Sequence, residues 1–233
     1  DRSLYESHLK YIKDQIKLGN TYQVNYTLRK HSNCISNPYG FFLEKAQDAP
    51  YAAFIESDEH TIISASPELF FKLSGESLIC KPMKGTSKRG KTLHEDIALM
   101  EELKNSEKDK AENIMITDML RNDMGKISDT GSVKVLSEFD IEKYSTVWQM
   151  TSSIKSRTST SITGIFEALF PCASVTGAPK VSSMKIISEI EGQPREIYTG
   201  AIGYIAPNNE AQFSVPIRTI LSDKKACRSV YGT

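Results

Sequence analysis

The residue with the clearest chemical potential in this sequence is Lys84, in the pentapeptide Pro82-Met83-Lys84-Gly85-Thr86. A proline after a predicted strand and a glycine beside the lysine let the backbone approach a bound molecule closely. A lysine amine is a nucleophile only when neutral, and a free lysine titrates near ~10.4, so burial or cationic neighbours would have to lower its pKa. Lys81, Lys88 and Arg89 are those neighbours. They equally suit a solvated basic loop, which composition alone favours for Lys84.

Two carboxylates are further candidates. Glu68 follows Ser66-Pro67, and a proline-fixed turn would hold it at a defined angle, as a general acid or base requires. A solvated turn glutamate is nevertheless the commoner case. Glu112 begins a predicted helix and offers the hard oxygen that Mg²⁺ binds. On the same helix Asp118 and Arg121 share a face, so an internal ion pair is an equal expectation there.

A fourth cluster, Ser174-Val175-Thr176-Gly177-Ala178-Pro179-Lys180, is predicted to be a turn that runs into a helix with proline in its first turn. Free backbone N–H groups and the helix dipole make such a start suitable for a carboxylate. An ordinary capped helix is the commoner alternative.

The elements that position these residues follow from hydrophobic periodicity. We predict helices that end at Gly19-Asn20, that begin at Asn37-Pro38, and that span 93–104, 110–124, 162–169 and 179–190. We predict strands at 22–28, 51–56, 61–65, 69–73, 77–81, 133–140 and 144–155 and in a final run over 197–231, with hairpin turns at 207–209 and 222–225. The closely spaced strands of 51–82 predict an antiparallel meander, and the whole pattern predicts an α+β fold.

Composition narrows the class of protein. The chain has 233 residues, 39% of them hydrophobic, which suffices for a sizeable core. Its 29 basic residues balance 29 acidic ones, so no overall field recruits nucleic acid or an anionic membrane. No apolar run approaches the roughly 20 residues of a membrane span. The four scattered cysteines (Cys34, Cys80, Cys172 and Cys227) predict reduced, packed thiols in a cytoplasmic protein.

In their order along the chain, the clusters resemble the chorismate-utilising enzyme family. The matching stretches are 19–25, 66–68, 82–86, 112–123, 174–180, 198–204 and 217–219. The resemblance implies an α+β fold of antiparallel β-sheets packed as a sandwich with helices on the outside. It also implies one catalytic domain over 1–233, Mg²⁺ as cofactor, and chorismate as substrate.

Two positions distinguish branches of this family, and a third departs from the pattern of many relatives. Isochorismate and salicylate synthases carry a water-activating lysine where this chain has Val24, which cannot take a proton. Lys84 replaces the alanine of most members and resembles aminodeoxychorismate synthase component I, in which that lysine attacks C2 of chorismate. Gln149 stands where many relatives have histidine, and an amide can orient a group but cannot take up a proton.

The resemblance assigns roles residue by residue. Lys84 is the expected nucleophile and Glu68 the expected general acid, with Glu112 as a Mg²⁺ ligand. The expected substrate contacts are Thr86, Gln149, Thr176, Gly177, Ala178, Tyr198 and Arg218. Ammonia from a glutamine amidotransferase partner would complete 4-amino-4-deoxychorismate, a precursor of 4-aminobenzoate and folate.

The family pattern extends beyond this chain at both ends. A β-rich N-terminal half and a C-terminal glycine-rich turn with a glutamate-bearing helix are expected outside it, so we expect these 233 residues alone to be inactive. Anthranilate synthase component I is the enzymatic alternative, and a non-catalytic chorismate-binding fragment is the other.

Overall fold

The computed structural model describes residues 2–232 and confirms the predicted α+β fold with antiparallel sheets. Within that range the helices are α1 Arg2–Lys17, α2 Pro38–Lys45, α3 Leu93–Asn105, α4 Glu107–Gly125, α5 Ile162–Leu169 and α6 Lys180–Glu191. The strands are β1 Gln23–Val24, β2 Arg29–Asn33, β3 Tyr51–Glu56, β4 His60–Ser66, β5 Leu69–Ser74, β6 Ser77–Lys81, β7 Met83–Lys88, β8 Lys134–Lys143, β9 Val147–Arg157, β10 Gly177–Ala178, β11 Ile202–Ala206, β12 Glu210–Ser214, β13 Thr219–Asp223 and β14 Arg228–Gly232. The predicted helices therefore all form, with starts and ends displaced by a few residues.

The chain divides into two compact units. The first comprises the chain up to Phe70, Val175–Tyr204, and the chain from Gln212 onward. The second comprises Phe71–Ser174 and Ile205–Ala211. The chain passes between the units within β5, β11 and β12 and between Ser174 and Val175.

The first unit contains a five-stranded antiparallel sheet in the order β2-β14-β13-β4-β3. Within it, β3 and β4 form the consecutive pair that the sequence predicts, with Tyr51 opposite Ser66. The single meander predicted for 51–82 is wrong, because β4 and β5 lie in different sheets. Strands β5 and β6 are neighbours as predicted, and β6 also pairs with the distant β9, with Ser77 opposite Arg157. Adjacency in sequence predicts hairpins but not pairings made across many residues.

The strand predicted over 22–28 is also largely wrong, because only Gln23–Val24 forms β1, paired with β10. The polar backbone groups around β1 are satisfied by individual tertiary bonds instead of a long ladder. The Tyr22 N–H donates to the Ala178 carbonyl (2.7 Å), and the Asn25 N–H donates to the Thr176 carbonyl (2.8 Å). Alternating polar and apolar side chains therefore arise here without an extended strand.

The second unit contains the antiparallel strands β6, β7, β8 and β9, with β9 paired to each of the other three. The pentapeptide at 82–86 was expected to be a loop after a strand. It instead runs into β7, which pairs with β9 from Met83 opposite Thr151 to Lys88 opposite Val147. Lys84 thus lies on a strand, because the ladder continues directly beyond Pro82.

Helix α4 has a mixed buried face, where Ile116, Leu120 and Met124 are joined by Asn113, Thr117 and Asp123. Its opposite face carries the predicted ion pair, which is confirmed: Arg121 Nη1 lies 2.8 Å from Asp118 Oδ1. Both side chains are more than half exposed, so the pair adds little stability.

The cysteines differ in environment more than predicted. All four are free thiols; Cys80 and Cys172 are buried, Cys34 is half-buried and Cys227 is exposed. The expected packing role is therefore wrong for Cys227. Among the helices of residues 2–232, none is both long and apolar enough to cross a membrane.

Replacement of Gly177 by alanine should destabilise the first unit. Gly177 has φ +149°, and an added Cβ would lie 2.1 Å from the Gln23 carbonyl oxygen. We expect Gly177→Ala to lower the free energy of unfolding by more than about 2 kcal/mol, as measured by urea denaturation. Gly125, which has nothing within 4 Å of an added Cβ, is the matched control. Gly125→Ala should change stability by no more than ~1 kcal/mol, and equal losses in both variants would contradict this account.

Candidate functional site

Lys84 lies at an irregularity in the β7–β9 pairing. Met83 is opposite Thr151 and Thr86 is opposite Gln149, so β7 has one more residue than β9 between these pairs. Such a bulge bends a strand and redirects its side chains. Lys84 is half-buried, and no hydrogen bond or ion pair engages its amine within residues 2–232. The amine is therefore held on a rigid element without an internal counter-ion.

Gly85 makes this bulge possible. Its φ is +94°, a left-handed conformation that favours glycine. An added Cβ would lie 2.9 Å from the Asp109 Cβ on α4. The glycine therefore lets β7 and α4 approach closely beside Lys84.

The side chain of Gln149, on β9, forms hydrogen bonds with two residues of the same bulge. Its Oε1 accepts a hydrogen bond from Thr86 Oγ1 (2.8 Å), and its Nε2 donates to the Gly85 carbonyl (2.7 Å). The side chain is 5% exposed, so both bonds form away from bulk water. These contacts fit the orienting role predicted for this amide, and contact of Gln149 or Thr86 with substrate stays a prediction.

The cations expected to act on Lys84 are largely neutralised. Lys81 forms an ion pair with Glu142, whose carboxylate also accepts hydrogen bonds from Tyr144 (2.9 Å) and Thr151 (3.1 Å). Burial by itself would raise the pKa of Glu142, but the bonds from Lys81, Tyr144 and Thr151 together lower it. Lys81 is therefore one half of a bonded pair.

Arg89 is neutralised in the same way by Asp96. Arg89 Nε donates to Asp96 Oδ1 at 2.7 Å, and Trp148 Nε1 donates to the same oxygen at 2.9 Å. The guanidinium carbon lies 4.6 Å from the centroid of the Trp148 ring, a cation–π distance. Hydrogen bonds from Arg89 hold the pKa of Asp96 far below its usual range. Burial by itself would raise this pKa, and hydrogen bonds from the Gly90 N–H and from Trp148 lower it further. Lys81 and Arg89 therefore do not act as unpaired cations beside Lys84, and they lie on either side of β7.

Glu112 has only part of what a metal site needs. It is half-buried on α4, and Lys108 Nζ lies 3.9 Å from its Oε1. Within residues 2–232, no group of three or more His, Cys, Asp or Glu side chains could hold a metal ion. One carboxylate leaves most of the Mg²⁺ coordination shell to water or substrate. Glu112 by itself does not complete a metal site among residues 2–232, and the Mg²⁺ assignment stays a prediction.

In the first unit Glu68 is 2% exposed, so the expectation of a solvated turn glutamate is wrong. The turn that carries it is tied to the segment before β13. Ser66 Oγ donates to the Val215 carbonyl (2.6 Å), and the Val215 N–H donates to the Glu68 carbonyl (3.1 Å). Two backbone-directed bonds thus hold a buried carboxylate in a fixed turn.

The residues Thr176, Gly177 and Ala178 are all buried and run through the short strand β10. Their placement depends on β1, since Gly177 is opposite Val24. Helix α6 follows Pro179, which gives no side-chain hydrogen bond to the first turn. The predicted helix is confirmed, but Pro179 is its N-cap residue and does not lie in its first turn. Use of this helix start by a carboxylate stays a prediction.

Tyr198 and Arg218 belong to two adjoining irregular segments of the first unit. The Thr199 N–H donates to the Pro216 carbonyl (3.1 Å), which docks the Tyr198 turn against the segment that leads to Arg218. Burial raises the pKa of Tyr198, so its hydroxyl stays protonated at neutral pH. Arg218 has φ +52° and is exposed, and its guanidinium makes no ion pair within residues 2–232. The two side chains offer a hydrogen-bond donor and an uncompensated positive charge.

Sequence reasoning missed a buried ion pair between Arg195 and Glu191, with N–O distances of 2.6 and 2.8 Å. Arg195 also donates to the carbonyls of Val175 and Asn25, both at 2.7 Å. The pair therefore ties the end of α6 to the segments on either side of β1 and β10. The signal in the sequence is the spacing of four residues between Glu191 and Arg195, which pairs side chains within a helix. Because α6 ends at Glu191, helical spacing does not predict this pair.

Within each unit, several predicted residues come together. Lys84, Thr86 and Gln149 share the β7–β9 pairing of the second unit. In the first unit, the segment Val215 to Arg218 contacts both the Glu68 turn and the Tyr198 turn. The predicted residues thus form local groups on rigid elements, as a binding site requires.

Comparison with known proteins gives consistent matches. The sequence matches the chorismate binding enzyme family over residues 1–233. It is 40% identical over 213 residues to aminodeoxychorismate synthase component 1 of Bacillus subtilis, covering 90% of this chain and 45% of that protein. It is 36% identical over 230 residues to anthranilate synthase component 1 of Lactococcus lactis, covering 97% and 50%. The crystal structure of anthranilate synthase component I from Streptococcus pneumoniae superposes with a TM-score of 0.89 at 29% identity, covering 100% and 52%. The chain spans about half the length of each of these relatives.

The Lys81–Glu142 pair predicts a pH-dependent loss in the variant Glu142→Gln. Because the folded-state pKa of Glu142 is lowered, its stabilisation is complete above the unfolded pKa and disappears as pH falls through the folded pKa. We expect Glu142→Gln to cost about 1–2 kcal/mol of unfolding free energy at pH 7. The difference from wild type should shrink once pH falls below roughly 4.3, the usual glutamate value. Urea denaturation of both proteins at a series of pH values measures this difference in unfolding free energy.

Glu138→Gln is the control for this experiment, since Glu138 is exposed on the same strand β8. It should show little loss at any pH. A Glu142→Gln deficit that stays constant down to pH 3 would show that the pair does not titrate as described.

Proposed function

The chain belongs to the chorismate binding enzyme family, and on that premise we propose that it carries the chorismate-aminating chemistry of an aminodeoxychorismate synthase component 1. The observation that carries the proposal is Lys84, a half-buried amine without a counter-ion within residues 2–232, held on the bulge of β7. A nucleophilic amine needs this combination of fixed geometry and freedom from an ion pair. The relative from Bacillus subtilis supports the same assignment.

The proposed reaction replaces the C4 hydroxyl of chorismate by an amino group. The neutral Lys84 amine adds to C2, the ring double bond shifts, and the C4–O bond breaks. Glu68 donates a proton to the departing hydroxyl, which leaves as water. Ammonia then attacks C4, the double bond shifts back, and the bond between C2 and Lys84 breaks to release the neutral amine. The nitrogen added at C4 returns a proton to Glu68, and 4-amino-4-deoxychorismate is released with both residues regenerated.

Binding of the enolpyruvyl carboxylate is assigned to groups of the first unit. The unpaired guanidinium of Arg218 and the protonated hydroxyl of Tyr198 suit the enolpyruvyl carboxylate. Backbone donors around Thr176 to Ala178 would line the pocket. A bound Mg²⁺ would neutralise the ring carboxylate, with Glu112 as one ligand.

The partner and the biological setting follow from the same proposal. Ammonia would come from a glutamine amidotransferase, and the product would feed 4-aminobenzoate and folate synthesis after a separate lyase step. The four free thiols support a reducing, cytoplasmic compartment.

Anthranilate synthase component I is the second candidate, because one such relative is 36% identical and another has a TM-score of 0.89. Lys84 argues against it, since the resemblance places alanine there in most members. The products separate the two functions directly: anthranilate is fluorescent, and 4-amino-4-deoxychorismate is not an aromatic amine.

Lys84→Ala tests the covalent step. We expect turnover of chorismate with ammonium ion to fall by a factor on the order of 10² or more, because the nucleophile is lost. Intact mass measured during turnover should show an adduct in the wild type and none in the variant. Both are measured on the product of the complete coding sequence.

Lys88→Ala is the matched control, since Lys88 is an exposed lysine on the same strand. It should leave both turnover and the adduct unchanged. A wild-type protein that turns over without any adduct, or a Lys84→Ala variant with full activity, would exclude covalent catalysis by Lys84.

Glu68→Gln tests the general acid. The amide keeps the shape of the buried side chain but cannot donate a carboxylic proton, so we expect turnover to fall about 10²–10⁴-fold. The thermal midpoint should be measured alongside, so that misfolding is recognised. A folded Glu68→Gln variant with wild-type turnover would remove Glu68 from the mechanism.

A further inference from the structure

Two of the free cysteines lie next to each other, just beyond one end of a pair of strands. The β2–β14 register sets Asn33 opposite Arg228 and Gly232 opposite Arg29, and the next pair in that register is Cys34 with Cys227. The Cys34 N–H donates to the Cys227 carbonyl at 3.3 Å, so the two backbones stay adjacent here, although Cys227 has φ +50° and belongs to the turn before β14. The pair closes the end of the ladder far from Gly232.

The separation expected for such a pair suits a disulfide. Hydrogen-bonded antiparallel pairs have Cα atoms about 5.5 Å apart, within the ~4.4–6.8 Å that disulfides span. Contact between the thiols is independently indicated, since a hydrogen bond with Cys34 raises the pKa of Cys227.

The surroundings leave one thiol accessible and hold the other in place. Cys227 is exposed, so a small reagent in solution can reach it. Cys34 is half-buried, with its Sγ 3.4 Å from Ser222 Oγ and 3.6 Å from the Asp223 carbonyl oxygen. Both neighbours are on β13, the strand that leads into the turn before Cys227.

That turn is itself anchored. Asp223 Oδ1 accepts hydrogen bonds from the N–H groups of Lys225 and Ala226, both at 2.9 Å. Lys224 Nζ donates to Glu56 Oε1 and to the Ser57 carbonyl, both at 2.8 Å. The backbone that carries Cys227 is therefore held next to Cys34, and little chain movement is needed to join them.

We propose that Cys34 and Cys227 are a thiol–disulfide modification site, which low-molecular-weight disulfides such as oxidised glutathione convert to an intramolecular disulfide. Adjacent cysteines with one accessible member are the arrangement in which a mixed disulfide is resolved within the chain. This inference is independent of the proposed catalytic function.

The chemistry balances with oxidised glutathione as the oxidant. A thiolate of the pair attacks one glutathione sulfur, the glutathione S–S bond breaks, and one reduced glutathione leaves. The second protein thiolate attacks the sulfur of the resulting mixed disulfide, and the other reduced glutathione leaves. Two protein thiols are oxidised, one glutathione disulfide is reduced to two thiols, and the two protons go to the glutathione thiolates.

The expected consequence is a gain in stability without a change at Tyr198. Cys227 is separated from Gly232, whose Cα packs on the Tyr198 ring, by a strand length of roughly 17 Å. The disulfide would close a loop of nearly the whole chain and restrict the unfolded state. We expect the thermal midpoint to rise by roughly 5 °C on oxidation and to return on reduction.

The test treats the folded 233-residue chain with oxidised glutathione and then blocks remaining thiols with N-ethylmaleimide under denaturing conditions. Peptide mass mapping should show Cys34 and Cys227 linked, with the protein lighter by two hydrogens, and Cys80 and Cys172 blocked by N-ethylmaleimide. Cys34→Ser should instead keep a glutathione on Cys227. Cys227→Ser should abolish both the linkage and the rise in thermal midpoint.

Either of two results would overturn the proposal. One is wild-type protein that retains glutathione on Cys227 while Cys34 is recovered as a free thiol. The other is wild-type protein in which neither cysteine reacts although the reagent oxidises a control dithiol. Because Cys227 is exposed, Cys227→Ser is expected to fold, and its unoxidised thermal midpoint checks this directly.

Discussion

The pairing of β7 with β9 is the constraint on which the second unit's candidate chemistry depends. One strand has an extra residue, and the sheet accommodates it only because Gly85 adopts a left-handed conformation where α4 approaches. Gln149 then bonds to both the side chain and the backbone of the bulge. A lysine on a flexible loop would lose much conformational entropy on reacting, whereas Lys84 begins from a fixed backbone.

Some of the basic side chains are held in ion pairs, whereas others have no acidic partner among residues 2–232. The cations on either side of β7 are paired, Lys81 with Glu142 and Arg89 with Asp96, and Arg195 is paired with Glu191 in the first unit. These pairs satisfy charges that are partly or largely buried and so hold strands and helix ends in place. Lys84 and Arg218 have no such partner within residues 2–232. Groups without an internal partner are the ones that remain available to an anionic or electrophilic substrate.

Several features were predictable from sequence because their causes are local. Helix α2 begins after Asn37 because this side chain caps it. The Oδ1 of Asn37 accepts a hydrogen bond from the Gly40 N–H at 2.9 Å. Helix α5 and strands β3 and β6 match their predicted bounds, since turn residues border each apolar run. The Asp118–Arg121 pair follows from helical spacing alone.

Other features depended on contacts between distant parts of the chain. The burial of Glu68 requires Val215, the short length of β1 requires Thr176 and Ala178, and the position of Lys84 on a strand requires β9. Sequence periodicity carries no information about which distant backbone groups will meet, so these were predicted wrongly or not at all.

By itself the sequence determined the family and the identities of the chemical groups: a lysine where an alanine is usual, a valine where water activation would need a base, and a glutamine where a histidine is common. Motif spacing encodes these directly, because each residue type fixes what its side chain can donate, accept or attack. Only the tertiary structure decided which of those groups are buried, paired or free. Burial and pairing arise from long-range packing, and they set the charge and freedom of a side chain whose type the sequence has already specified.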